Sequence, residues 1–187
     1  MFKCFNVSMF QCFNDSMIKC FNKNAFTLVE ILIVIAIIAI LSAIAVPGYR
    51  NANKQYALEL AANKLVQDIR SVEEMALAAA EVNGNIPDKY GVYFSMSSND
   101  QYILFADNGD GVYGAGDQVI GSPLKMAGGV TIQNLNPPSP LTVTFKPPDP
   151  SVVINNNLAI TTATISLANG AGTKSVIINK IGLVYVQ

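Results

Sequence analysis

One carboxylate, Glu30, stands inside a stretch, residues 26–46, whose only other non-aliphatic members are Phe26, Thr27 and Ser42. A charge in hydrocarbon costs roughly 2.5–3.5 kcal/mol at a bilayer centre and less toward either end. About a dozen aliphatic side chains, at roughly −0.3 to −0.6 kcal/mol each, outweigh it. The chemistry open to Glu30 is ion pairing with a cation supplied by another molecule; the plainer alternative leaves it among headgroups with no partner. A second set, Asn108, Asp110 and Asp117 with Gly111, matches ligand positions three, five and twelve and the glycine at six of a calcium loop. The first ligand position then falls on Ala106, which has no ligating side chain, and Asp117 is shorter than the usual Glu. The same residue types are also those a tight loop needs for its turns. The turn reading is preferred, so no cofactor or metal is expected, and calcium is the one the pattern would take.

Nothing else in the chain has the pattern of a catalytic centre. Histidine is absent, which removes the commonest general base and metal ligand. Cys4, Cys12 and Cys20 recur at even intervals with no CxxC pair, unlike a zinc site. No glycine-rich phosphate loop and no Ser–His or Cys–His set occurs, and Glu73 with Glu74 reads as a solvated helix face. The reading is a non-enzymatic protein. A formal charge of −1, with only Lys174 and Lys180 close together in the C-terminal region, argues against nucleic acid as a partner.

The elements that carry these residues follow from periodicity. Residues 26–46 as a helix measure about 30 Å, the thickness of a bilayer's hydrocarbon core. Pro47 and Gly48 come next, and proline predicts a kink or weak point one turn earlier. Leu58, Ala62, Leu65, Ile69, Val72, Ala76 and Ala79 then recur at spacings of four and three, one apolar stripe on a helix. Lys64 with Asp68, and Arg70 with Glu74, stand four apart as helix-face pairs. Asn83-Gly84 offers the cap, so the helix is expected to run from about 26 to 82. Beyond residue 90 the pattern is β: 91–95 and 101–106 as a pair, then 118–120, 130–135, 141–146, 152–154, 158–167, 175–179 and 183–186. The proline clusters at 137–140 and 147–150 mark loops or edges. The expected fold class is α+β, a long N-terminal helical spine packed on an antiparallel sheet.

Lys23-Asn24-Ala25-Phe26-Thr27-Leu28-Val29-Glu30, leading into the aliphatic run, resembles the processing site of type IV prepilins and type II secretion pseudopilins. The resemblance implies a prepilin peptidase cut between Ala25 and Phe26 and N-methylation of Phe26. It makes Glu30 the fifth mature residue, paired with the amine of a neighbouring subunit. Thr27 and Pro47 count among the assembly positions, Pro47 because many pilins carry a proline there. The family usually has Gly where this chain has Ala25. Other subunits, the peptidase and methyltransferase, an inner-membrane assembly platform and membrane lipid are the implied partners. Residues 105–117 are similar to a loop of GspH/FimT-type minor pseudopilins, as is the closing strand, glycine turn and last strand of 176–186.

The chain thus divides into a leader (1–25), a transmembrane and assembly helix (26–46), its amphipathic continuation (47–83) and a β-rich head (84–187). Lys19 and Lys23 keep the N-terminus cytoplasmic by the positive-inside rule, with the head outside. Residues 3–26 contain three related octads, which read as a tandem duplication with translation starting at Met17. Ala43-Ile44-Ala45 also matches an ordinary signal peptidase site, against which stand the length of the apolar run and its acid. The leading functional expectation is a structural subunit, minor pilin or pseudopilin, of a type IV pilus or type II secretion filament. The alternatives are a membrane-anchored binding domain that never polymerises and a FimT-like minor pilin that binds DNA in transformation.

Overall fold

A computed structural model describes residues 26–148 and 151–187. The octads up to residue 25, the cysteines, Lys19, Lys23 and Ala25 lie outside the described residues, as do the side chains of Ala45 and Pro47. The chain forms two compact units, Met1–Val46 and Pro47–Gln187. One helix, α1 (Leu28–Leu77), includes Pro47 within its helical run. In the first unit its described apolar side chains are exposed, Ile40 and Leu41 among them.

In the second unit, residues 48–56 of α1 are also exposed, and burial begins at Leu58. Leu58, Ala62, Leu65, Ile69, Val72 and Ala76 form the buried stripe that their spacing predicts, joined by Ala61 and Val66. The helix ends five residues earlier than its periodicity implies. The Ala80 N–H donates to the Met75 carbonyl (3.0 Å) and the Ala79 N–H to that of Ala76 (3.1 Å), with Ala79 at φ 44°. That is a Schellman closure with alanine in the left-handed position. The Tyr90 hydroxyl donates to the Ala80 carbonyl just beyond it. Asn83 (φ 52°) and Gly84 (φ 82°) instead make a two-residue turn between Val82 and Asn85, whose backbones exchange both hydrogen bonds. Asn-Gly suits that turn because both central residues need positive φ.

Ten strands follow. The first four are β1 (Lys89–Phe94), β2 (Gln101–Asp107), β3 (Gln118–Val119) and β4 (Leu124–Lys125). Then come β5 (Thr131–Asn136), β6 (Leu141–Phe145) and β7 (Val152–Ile154). The last are β8 (Thr162–Ala168), β9 (Thr173–Asn179) and β10 (Val184–Val186). All pairings are antiparallel. They form two sheets rather than the single one expected, ordered β3-β2-β1-β6-β7 with β4 also on β2, and β10-β9-β8-β5. Tyr90, Phe94 and Phe145 of the first sheet, Ile132, Ile165 and Ile178 of the second, and the α1 stripe share one core. The fold is a long N-terminal helix packed on antiparallel β structure, as expected. Residues 158–161 are not strand. Asn155 and Asn156 take positive φ, and the Asn157 side chain accepts the Ala159 N–H at 2.9 Å, so an asparagine turn occupies the start of that apolar run.

Polar groups pin helix to sheet. Lys64 pairs with Asp68 (2.5 Å), and the Tyr102 hydroxyl donates to the other Asp68 oxygen (2.5 Å). Burial, and then the bond to Asp68, push the Tyr102 phenol well above its usual range. Arg70 makes no pair with Glu74; its guanidinium donates to the Val184 carbonyl at 3.0 Å, tying α1 to β10. Alanine at the left-handed closure costs about 1 kcal/mol relative to glycine. Ala79→Gly is therefore expected to stabilise the protein by at most about 0.6 kcal/mol after the extra unfolded-state freedom of glycine, about 0.4–1 kcal/mol, is subtracted; denaturant midpoints of the two chains check this.

Candidate functional site

Two places gather the candidate residues. The first is the entrance of α1. Thr27 precedes the helix, and its hydroxyl accepts the Glu30 N–H at 3.2 Å. Its carbonyl accepts the N–H groups of Glu30 (3.0 Å) and Ile31 (3.3 Å). Thr27 is thus the N-cap, and Thr-x-x-Glu is the pattern of a capping box. That four-residue spacing is the sequence signal for the cap, which the family resemblance, placing Thr27 among assembly positions, does not reveal. Glu30 therefore lies in the first turn, where unpaired N–H groups carry partial positive charge that favours a carboxylate. Phe26 (73% exposed) precedes the cap. Glu30 is the only charged residue between residues 26 and 49. Around it the Ile, Leu and Val side chains of residues 28–44 are 46–81% exposed.

The second place is the loop that joins β2 to β3. Calcium-loop spacing points to Asn108, Asp110 and Asp117. The structure instead brings together Asp107, Asp110 and Asp117, with carboxylate oxygens within 4.8 Å of one another. Asn108 is turned away, its side-chain amide donating to the Gly116 carbonyl. Side chains alternate along a strand, so the last residue of β2, Asp107, faces inward and the next faces out. Each carboxylate already accepts loop N–H groups. Asp107 accepts that of Gly111 (3.0 Å) and Asp110 that of Val112 (2.9 Å). Asp117 accepts those of Asn108 (3.3 Å) and Gly114 (2.7 Å). Lys89 stands 3.8 Å from Asp107 and donates to the Gly109 carbonyl at 3.2 Å. These bonds close the loop on itself.

Aromatic contacts hold the loop to the sheet. The Tyr113 ring packs against Tyr93 (4.7 Å between centroids) and edge-on against Phe105 (5.2 Å). Phe105 in turn lies over Gly91, where an added Cβ would sit 2.4 Å from the ring. Only glycine leaves that space. Burial pushes the Asp107 carboxyl upward; the Gly111 N–H and the Lys89 charge pull it the other way, and burial is the larger effect.

Comparison with known proteins bears on the helix entrance. Residues 20–46 match the family model described as the prokaryotic N-terminal methylation motif. The chain is also similar to a protein of Moraxella bovis described as a type IV major alpha-pilin. The two are 33% identical over 107 residues, which is 50% of this chain and 67% of the relative. No solved structure matches.

The loop yields a prediction with a definite sign. A carboxyl raised above its unfolded value contributes stability that falls as pH rises from the ordinary range, about 4, through the raised value. Asp107→Asn keeps an acceptor for the Gly111 N–H without the buried charge. Its stability relative to the native chain is expected to increase as pH rises through that window and then level off. Asp107→Ala, which orphans a buried donor, is expected to cost about 1–3 kcal/mol; denaturant titrations over a pH series check both.

Proposed function

The chain belongs to the type IV pilin family, and from that premise we propose that it is a filament subunit, a minor pilin or pseudopilin, assembled through α1. The observation that carries the proposal is the exposed first part of α1, apolar on every side and marked by a single carboxylate in its first turn. A patch that large on one molecule needs cover. Lipid covers it before assembly, and the corresponding helices of other subunits cover it in the filament. Prepilin peptidase cuts between Ala25 and Phe26, the new amine of Phe26 is methylated, and Glu30 pairs with the amine of an adjacent subunit. An ion pair in such surroundings sets register more than it adds net stability. Lys19 and Lys23 keep the N-terminus on the cytoplasmic side and leave the head outside.

The likeness of residues 105–117 to the loop of GspH/FimT-type subunits supports the minor class, in a type IV pilus or a type II secretion filament. The Moraxella bovis relative is described as a major pilin, which favours the major class as a second reading.

N-terminal sequencing of protein purified from cells is expected to begin at methylated Phe26; a start at Val46 would overturn the proposal. Glu30→Ala is expected to insert in the membrane as well as the native chain yet enter filaments at least about tenfold less, the equivalent of about 1.4 kcal/mol. Sheared-filament yield against membrane-bound protein measures the difference, and equal yields would remove Glu30 from the mechanism.

A further inference from the structure

Between the apolar span and the first buried residue of the head lies a neck, residues 48–56, exposed along its whole length. Arg50 and Lys54 stand four apart, on one side of the helix. Neither forms an ion pair among the described residues. No acidic residue occurs between Glu30 and Glu59. Tyr49 (70% exposed) and Tyr56 (68% exposed) flank the two cations. The head's cover starts just beyond. Asn169, in the turn between β8 and β9, donates to the Lys54 carbonyl at 2.5 Å, and Gly128 sits against Ala57, where a Cβ would approach within 2.5 Å. The Lys54 backbone is thus engaged while its ammonium has no acidic partner among the described residues.

We propose that this neck binds the anionic phosphates of the extracytoplasmic leaflet while the subunit is stored in the membrane. The inference rests on the membrane-anchored reading above and adds to it a lipid class and the residues that select it. Chain connectivity bounds the height, because Arg50 and Lys54 lie only four and eight residues past Val46. As helix, Arg50 follows Val46 by about 6 Å and Lys54 by about 12 Å. The headgroup layer on each side of a bilayer is roughly 5–8 Å deep. Tyr49 and Arg50 fall within it, and Lys54 reaches it from above through its flexible stem. Tyrosine bodies favour that layer because one end is apolar and the other polar. Two cations that form no ion pair among the described residues, with Glu59 the first acid beyond them, complement a surface of phosphate charge, each strengthening attraction about fivefold near an anionic leaflet. The contact is electrostatic, so salt screens it, and leaving the bilayer for the filament releases it.

The test uses the full chain reconstituted in phosphatidylcholine vesicles containing phosphatidylglycerol, with spin-labelled lipids of both headgroups. The motionally restricted fraction is expected to favour phosphatidylglycerol about fivefold or more. That preference should fall toward parity in 0.5 M salt and in the Arg50→Gln/Lys54→Gln double variant. Lys146→Gln, an exposed cation of the head, should retain it, as should Arg50→Lys/Lys54→Arg, which guards against simple misfolding. An unchanged preference in the neutral double variant would overturn the proposal and leave the membrane reading intact. Failure of the native chain to float with vesicles would overturn both. A preference that disappears when the protein is diluted tenfold in lipid would assign the neck to a second copy of the chain instead.

Discussion

Apolar surface that the chain cannot cover by itself is the constraint on which the rest depends. Along residues 28–46, α1 has no polar side to offer water, yet it satisfies its own backbone hydrogen bonds, the condition for a single segment to sit in lipid. Glu30 is tolerable because of where it lies. It occupies the first turn, beside the opening N–H groups of the helix, and the Thr27 hydroxyl and carbonyl both accept from its own N–H. The same carboxylate in mid-span would face hydrocarbon with no compensating dipole. A helix that carries its acid at its entrance keeps the rest of its length interchangeable between lipid and like helices.

Further along, the same helix changes character without a break. From Leu58 to Ala76 one face is buried under two sheets, and the polar bonds of that face are few but placed. Asp68, nearly buried, is answered by Lys64 and Tyr102, so no unpaired charge is left in a place where it would be costly. Arg70 reaches a β10 carbonyl, which satisfies an acceptor at the end of the chain. Membership of the type IV pilin family fits this division of the helix into an exposed apolar start and a later part packed against the head.

The loop after β2 shows how acidic residues can resemble a metal site and still have ordinary work to do. Asp107, Asp110 and Asp117 converge because each accepts N–H groups that the glycine-rich backbone would otherwise leave unsatisfied. Repulsion among them is relieved by Lys89 and by the distribution of those donors. The loop's position comes from the contact of Tyr113 with Tyr93 and Phe105, which no spacing rule would have found.

By itself the sequence determined whatever depends on local order. The apolar run, the lone acid, the buried stripe and the positions of most strands follow from periods of 3.6 and two, and both can be counted. The Thr-x-x-Glu cap was equally local. Tertiary structure decided what depends on partners distant along the chain. It placed the helix end at Leu77, because Tyr90 and the closing hydrogen bonds fix the carbonyls just there, and it gave Asn83-Gly84 to a turn. It split the strands into two sheets around one core, sent Arg70 to Val184 instead of Glu74, and put Asp107 in the acidic cluster in place of Asn108. In each case several local answers are nearly equal in energy, differing by a few tenths to about 1 kcal/mol. Long-range packing outweighs differences of that size and so chooses among them.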